Sequence, residues 1–236
     1  MRVGAATLLA IGAIAALVAI GVTDQILPAA DARTISMRPW IAARAMGVTA
    51  YLLLALEVAL GLVLSHPRNT SEWRKTKQVF PWHEMVTVFT AAFLVLHVAL
   101  LATDPYADVG VIGALVPGYS AYRPVAVGLG SIALYAFIFT ALTAKWTRLL
   151  PSGWWLKAHR FAAVVFFMTW MHAVLAGTDG GALLPLYLLT GIPILAGIGH
   201  RWWTARVRPT RRVAPAIPTK PLTERPAAAL VATEEL

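Results

Sequence analysis

His83-Glu84-Met85-Val86-Thr87-Val88-Phe89-Thr90-Ala91-Ala92-Phe93-Leu94-Val95-Leu96-His97 places a histidine at each end of one apolar stretch. A second stretch, His159-Arg160-Phe161-Ala162-Ala163-Val164-Val165-Phe166-Phe167-Met168-Thr169-Trp170-Met171-His172, repeats the arrangement. The spacings are fourteen and thirteen residues. A helix rises about 1.5 Å per residue, so each pair spans roughly 20 Å, most of a bilayer core of about 30 Å. Imidazole is a usual axial ligand of haem iron, and two helices offering one imidazole near each membrane face can clamp two stacked haems. One detail departs from an ideal helix. Fourteen residues at about 100° each return to within roughly 40° of the starting face, but thirteen end about 140° away. The spacing therefore predicts a distorted first turn at His159, a bend in its helix, or two haems rotated against each other.

Composition agrees with a membrane setting. The 236 residues are 58% hydrophobic and 13% charged, with a mean hydropathy of +0.68, against about 25% charged in soluble domains. Cysteine is absent, which excludes disulfides, thiolate-held iron–sulfur clusters, cysteine nucleophiles and haem attached through C-x-x-C-H. A haem here is non-covalent. The net charge of +9 sits beside apolar segments, where it sets topology and does not point to nucleic acid.

Runs of about twenty apolar residues predict six spans, at 3–22, 41–64, 84–102, 124–144, 161–176 and 182–198. The first resembles a signal peptide in having Arg2 ahead of it and Ala29–Ala30 behind, but its apolar run is too long and an uncleaved helix is expected. The fold expected is all-α, a six-helix membrane bundle over residues 1–203 with two haem sites between helices 3 and 5. Residues 204–236 form a basic, Pro- and Ala-rich tail expected to be disordered and cytoplasmic. Arg68, Arg74, Lys75 and Lys77 lie in the loop 65–81, and Lys145, Arg148, Lys157 and Arg160 in the loop 145–160. Arg201, Arg206, Arg208, Arg211 and Arg212 follow His200, whereas the alternate loops carry Asp24, Asp31, Asp104, Asp108 and Asp179 beside Arg33, Arg38 and Arg123. The positive-inside rule then puts both termini in the cytoplasm of a multi-pass cell-membrane protein. In that topology His83 and His159 begin helices at the inner face, and His97 and His172 lie toward the outer face. A short interfacial helix is expected at 109–115.

Ionisable side chains are costly in a bilayer and mark function. A single membrane histidine is commonly structural; four in two level-matched pairs are not. His66 and His200, at span ends beside Pro67 and Arg201, read as ordinary interfacial residues. A proton channel would need polar residues between the histidines, and the few present suit a dry pocket.

The sequence resembles the ferric-reductase-like transmembrane domain, the membrane half of NADPH oxidases, of yeast ferric reductases and of the bacterial methionine sulfoxide reductase system's haem subunit. The resemblance runs from about Arg38 to His200. It rests on the 14 and 13 spacings, Ala43-Arg44-Ala45, Tyr122-Arg123-Pro124, Trp155-Leu156-Lys157-Ala158-His159-Arg160-Phe161, and His172 followed by Ala176-Gly177-Thr178-Asp179. It implies two b-type haems, the inner on His83 and His159 and the outer on His97 and His172, carrying electrons outward from a cytoplasmic flavin. The sequence shows no Gly-rich dinucleotide motif after a strand, so it is not expected to oxidise a nicotinamide by itself as the oxidases do. The expected donor is therefore separate: a cytoplasmic flavin reductase, free FMN or FAD in reduced form, or a quinol. The acceptors that fit are ferric iron, oxygen, a quinone or an extracytoplasmic redox partner protein.

Haem propionates need cationic partners. Arg44, just inside the outer end of the second span, matches an arginine beside the outer haem of the resembling oxidases. The resemblance therefore assigns it to an outer propionate, the alternative being a side chain that snorkels to the outer surface. Arg160, Lys157 and Arg74 are placed to serve the inner propionates. Glu57 is a mid-span carboxylate able to pair with Arg44, orient a ligand imidazole or carry a proton. Phe89, Phe93, Phe166 and Phe167 lie between the haem levels as bilayer packing. Trp40, Trp82, Trp154, Trp155, Trp202 and Trp203 cluster at span ends, as interfacial tryptophans do. The competing reading is a haem-free transporter or channel subunit whose histidines are structural or form a metal path with Glu84, Met85, Met168 and Met171.

Overall fold

The structure, a computed structural model, describes residues 32–65, 73–151, 153–177 and 180–207, together with Ala10, Ile14 and Leu17. Seven α-helices run through the described residues: α1 (Ala32–Leu64), α2 (Trp73–Thr103), α3 (Gly110–Leu115), α4 (Pro124–Lys145), α5 (Trp154–His159), α6 (Ala162–Ala176) and α7 (Gly180–Val207). Five stretches are long and apolar enough to cross a membrane: Ile35–Leu64, Gln78–Thr103, Pro124–Lys145, Trp154–Ala176 and Gly181–Thr204. These are the second to sixth expected spans. The first, 3–22, lies outside the described residues save for three positions, as do His66 and the tail beyond Val207.

The helices overrun the apolar windows. Backbone hydrogen bonding propagates past the hydrocarbon edge, so α1 starts at Ala32 and α2 at Trp73. His83, expected to begin a helix, is the eleventh residue of α2. The end of α7 likewise takes in residues 204–207, which were assigned to the tail. There Arg206 lies 3.3 Å over the Trp202 ring, a cation–π pair at the end of the span.

The fifth span is two helices. α5 ends at His159 and α6 starts at Ala162. Across the break, Phe161 N donates to Ala158 O at 3.0 Å and Ala163 N to Arg160 O at 3.2 Å. These i→i−3 bonds wind the turn more tightly than an α-helix. Of the three outcomes that the thirteen-residue spacing allows, the structure shows a distorted turn, just after His159.

The segment between α2 and α4 also holds a helix, α3, where one was expected. Asp104 is buried and receives the backbone N–H groups of Tyr106 and Ala107 on its carboxylate. Asp108 and Arg123 both adopt left-handed backbone, with φ of 50° and 42°, a conformation that disfavours residues with a Cβ. At the far end of α3, Ser131 Oγ of α4 donates to Ala114 O at 2.8 Å and Tyr135 Oη to Leu115 O at 2.7 Å. Helix-terminal carbonyls have no partner inside the helix, so these hydroxyls both satisfy them and fasten α3 to α4.

Two antiparallel pairs make the frame, α1 with α2 and α4 with α6; α1 touches α6, and α7 packs on both. α2 and α6 are not closely packed on each other. At mid-height, Tyr51, Leu54, Phe137, Val165, Phe166 and Tyr187 form the core. Tyr51 is 1% and Phe166 0% exposed. The Tyr51 hydroxyl is satisfied by Thr190 Oγ1 at 2.6 Å, which makes its burial tolerable in an apolar interior.

Candidate functional site

Across the gap between α2 and the broken fifth span, with His159 at the end of α5 and His172 on α6, the four histidines of the sequence pattern face one another in two pairs. The rings of His83 and His159 lie 6.1 Å apart centre to centre, and those of His97 and His172 6.3 Å apart. Their planes are steeply inclined, at 85° and 74°. Among the described residues no group of three or more His, Asp or Glu side chains converges to hold a bare metal ion. The histidines are brought together strictly as pairs.

Three of the four imidazoles are held by the same device. His97 Nδ1 donates to Ala43 O at 2.6 Å, His172 Nδ1 to Ala126 O at 2.7 Å, and His83 Nδ1 to Glu57 O at 3.1 Å. A carbonyl only accepts, so the proton sits on Nδ1 and the Nε2 lone pair is left for another partner. Four residues after each acceptor comes a glycine: Gly47, Gly130 and Gly61. In a helix the carbonyl of residue i points toward residue i+4, so a side chain there would shield it. A Cβ on Gly47 would stand 2.8 Å from His97 Nδ1, and one on Gly130 2.7 Å from His172 Nδ1. On Gly61 it would lie 3.6 Å from His83 Cε1, an ordinary contact. The notches repeat because the helices are antiparallel: Gly47 and Gly61 are fourteen residues apart, as are His83 and His97. Sequence reasoning passed over these glycines, although their matched spacing was visible in it.

His172 is further secured from α4. Arg123 donates to Leu175 O at 2.6 Å and Gly177 O at 3.1 Å, and Tyr122 Oη to Ala176 O at 3.1 Å. A cation at a helix C-terminus also meets the negative end of the helix dipole. The Tyr122-Arg123-Pro124 motif thus clips the end of α6 three to five residues beyond the ligand candidate. His159 has no such support. Its Nδ1 is buried without a hydrogen-bond partner, and α5 contains no buried residue.

The His97–His172 pair opens into a cavity with about 1320 Å³ of space outside protein atoms, part of it open to the surroundings. Arg44, Trp40, Tyr51, Tyr122 and Tyr187 help to line it. Arg44 rests 4.4 Å over the Trp40 ring, so the sequence-assigned arginine does reach this chamber. Arg160 is exposed in the break after His159. Glu57 serves the other level: its carbonyl takes His83, and its Oε1 lies 2.8 Å from the Thr87 hydroxyl. Glu57 Oε2 is buried and unpartnered. Of the phenylalanines between the levels, Phe166 is fully buried, Phe89 and Phe93 are half-buried and Phe167 is 48% exposed.

A polytopic helical membrane protein with paired, level-matched histidines is the class defined by this fold and site. A family model described as ferric reductase like transmembrane component matches residues 46–170, just over half of the chain, and the chain belongs to that family. The family is one of transmembrane electron transfer. The match takes in His83, His97 and His159 and ends two residues short of His172. No curated protein and no solved structure matches the chain.

Proposed function

We propose that the chain carries electrons across the cell membrane through two non-covalent b-type haems, the inner held by His83 and His159 and the outer by His97 and His172. The observation that carries this reading is the width of the gap. Two metal–nitrogen bonds of about 2 Å, plus about 1 Å from each nitrogen to its ring centre, add up to about 6 Å. The two pairs stand 6.1 and 6.3 Å apart. The Nδ1–H···O=C bonds fix the tautomer that leaves Nε2 free to ligate.

When bound, haem supplies one-electron redox chemistry. The protein's own contribution is placement and insulation. α2, with fourteen residues between its histidines, and α5 with α6 opposite it hold the levels about 20 Å apart. Tyr51, Phe166 and Tyr187 exclude water between them, and Arg44 and Arg160 are assigned to outer and inner propionates. With both termini in the cytoplasm, the donor is a cytoplasmic-side reduced flavin, flavoprotein or quinol. The acceptor at the outer face is ferric iron, oxygen, a quinone or a partner protein. The chain is then a membrane oxidoreductase or its haem subunit.

The test is a reduced-minus-oxidised absorption spectrum of the purified protein with a haem count. Sharp b-type bands and about two haems per chain are expected. A colourless protein overturns the proposal and leaves the transporter reading. Reduction by flavin compared with quinol in the reconstituted protein then identifies the donor.

A further inference from the structure

Three histidines rest in carbonyl–glycine notches and the fourth does not. His159 Nδ1 is buried with no acceptor. The local chain adds to this looseness. His159 ends a six-residue helix without buried residues, just before the tightened turn at Arg160–Phe161. An imidazole whose second nitrogen is unanchored lacks the hydrogen bond that fixes ring orientation and raises ligand basicity.

Resting on the dihaem reading, we propose that His159 is an exchangeable ligand. The inner site, and not the outer, then opens one coordination position to a small uncharged ligand of the carbon monoxide and dioxygen class. The step is a ligand exchange: the bond from His159 Nε2 to ferrous iron breaks and a bond from the incoming molecule forms. His159 keeps its lone pair and no electron changes hands in the binding of carbon monoxide. The outer pair is closed to such exchange because both of its imidazoles are anchored at 2.6 and 2.7 Å.

Carbon monoxide is the probe, applied to the dithionite-reduced full-length protein in detergent after the haem count has been taken. A count near zero defeats the dihaem reading itself and is seen before carbon monoxide is added. With two haems present, the expected result is one carbon monoxide bound per chain, with half of the haem absorbance unmoved. Binding at both haems, or at neither, overturns the proposal. His159→Ala locates the site. Carbon monoxide affinity rises at least several-fold if the variant keeps its inner haem, or binding disappears together with that haem. Unchanged affinity at one per chain places the open position at the outer haem and overturns the proposal. A readout independent of any variant is the low-temperature EPR of the oxidised protein. One low-spin signal broadened by a spread of imidazole orientations is expected beside one narrow signal; two equally narrow signals overturn the assignment.

Discussion

The two histidine pairs look alike in sequence and differ in how they are held. At the His97–His172 level both rings donate to backbone carbonyls, both lie against glycines, and the end of α6 is clipped by Tyr122 and Arg123. At the His83–His159 level one ring has a longer bond of 3.1 Å and the other has none. Equal spacing of ligands along a helix therefore does not mean equal rigidity. What differs is the neighbouring helix and whether it offers the ring a carbonyl.

The strongest way to break this comparison is to remove one anchored ligand. His97→Ala should cost about one of the two haems by pyridine haemochrome assay, with the remaining haem still reducible by the cytoplasmic-side donor. Retention of both would show that the pairing is wrong. Next come the notches themselves. Gly47→Ala and Gly130→Ala each push a Cβ to within 2.8 Å or less of an anchored imidazole, so outer-haem occupancy should fall several-fold. Gly61→Ala, with its 3.6 Å clearance, should leave the spectrum unchanged. A spectrum equally damaged in all three would mean that the glycines matter only for helix packing.

Arg44→Leu should weaken retention of the outer haem or shift its midpoint potential while the inner haem titrates as before. If neither moves, the guanidinium serves the surface and not a propionate. The smallest effect belongs to the clip. Arg123→Ala deletes two hydrogen bonds to the end of α6, a cap worth about 1 kcal/mol. The expected outcome is a slightly lower thermal midpoint and a slightly broader outer-haem EPR signal. A change confined to the inner haem would contradict the geometry.

Much of this was legible in the sequence. Apolar runs place the five described spans. The spacing of His159 and His172 calls for a distorted turn, a bend or rotated haems, of which the structure shows the first at Arg160–Phe161. Span beginnings were read too late because a helix goes on past its apolar stretch, carrying Trp73 to Phe80 ahead of Pro81 and His83. The glycine notches were harder. Gly47, Gly61 and Gly130 gain meaning only once the antiparallel register sets Ala43, Glu57 and Ala126 opposite histidines far away in the chain. Tyr122 and Arg123 were noticed as a motif, but their targets are carbonyls, which no side-chain pattern advertises. His159 shows the converse: its second nitrogen meets no acceptor, and a missing backbone partner leaves no mark in a sequence read alone.

The fastening of α3 by Ser131 and Tyr135 has a consequence for selectivity. Val109, Ala114 and Tyr122 help to line the chamber beside His97 and His172, and α3 on that side is bolted down at its carbonyl end. On the dihaem reading, an acceptor that approaches over α3 meets this polypeptide before it meets the outer haem. Discrimination then falls to whatever decorates the exterior of α3, so a dissolved ion and a folded protein can draw on one unaltered interior.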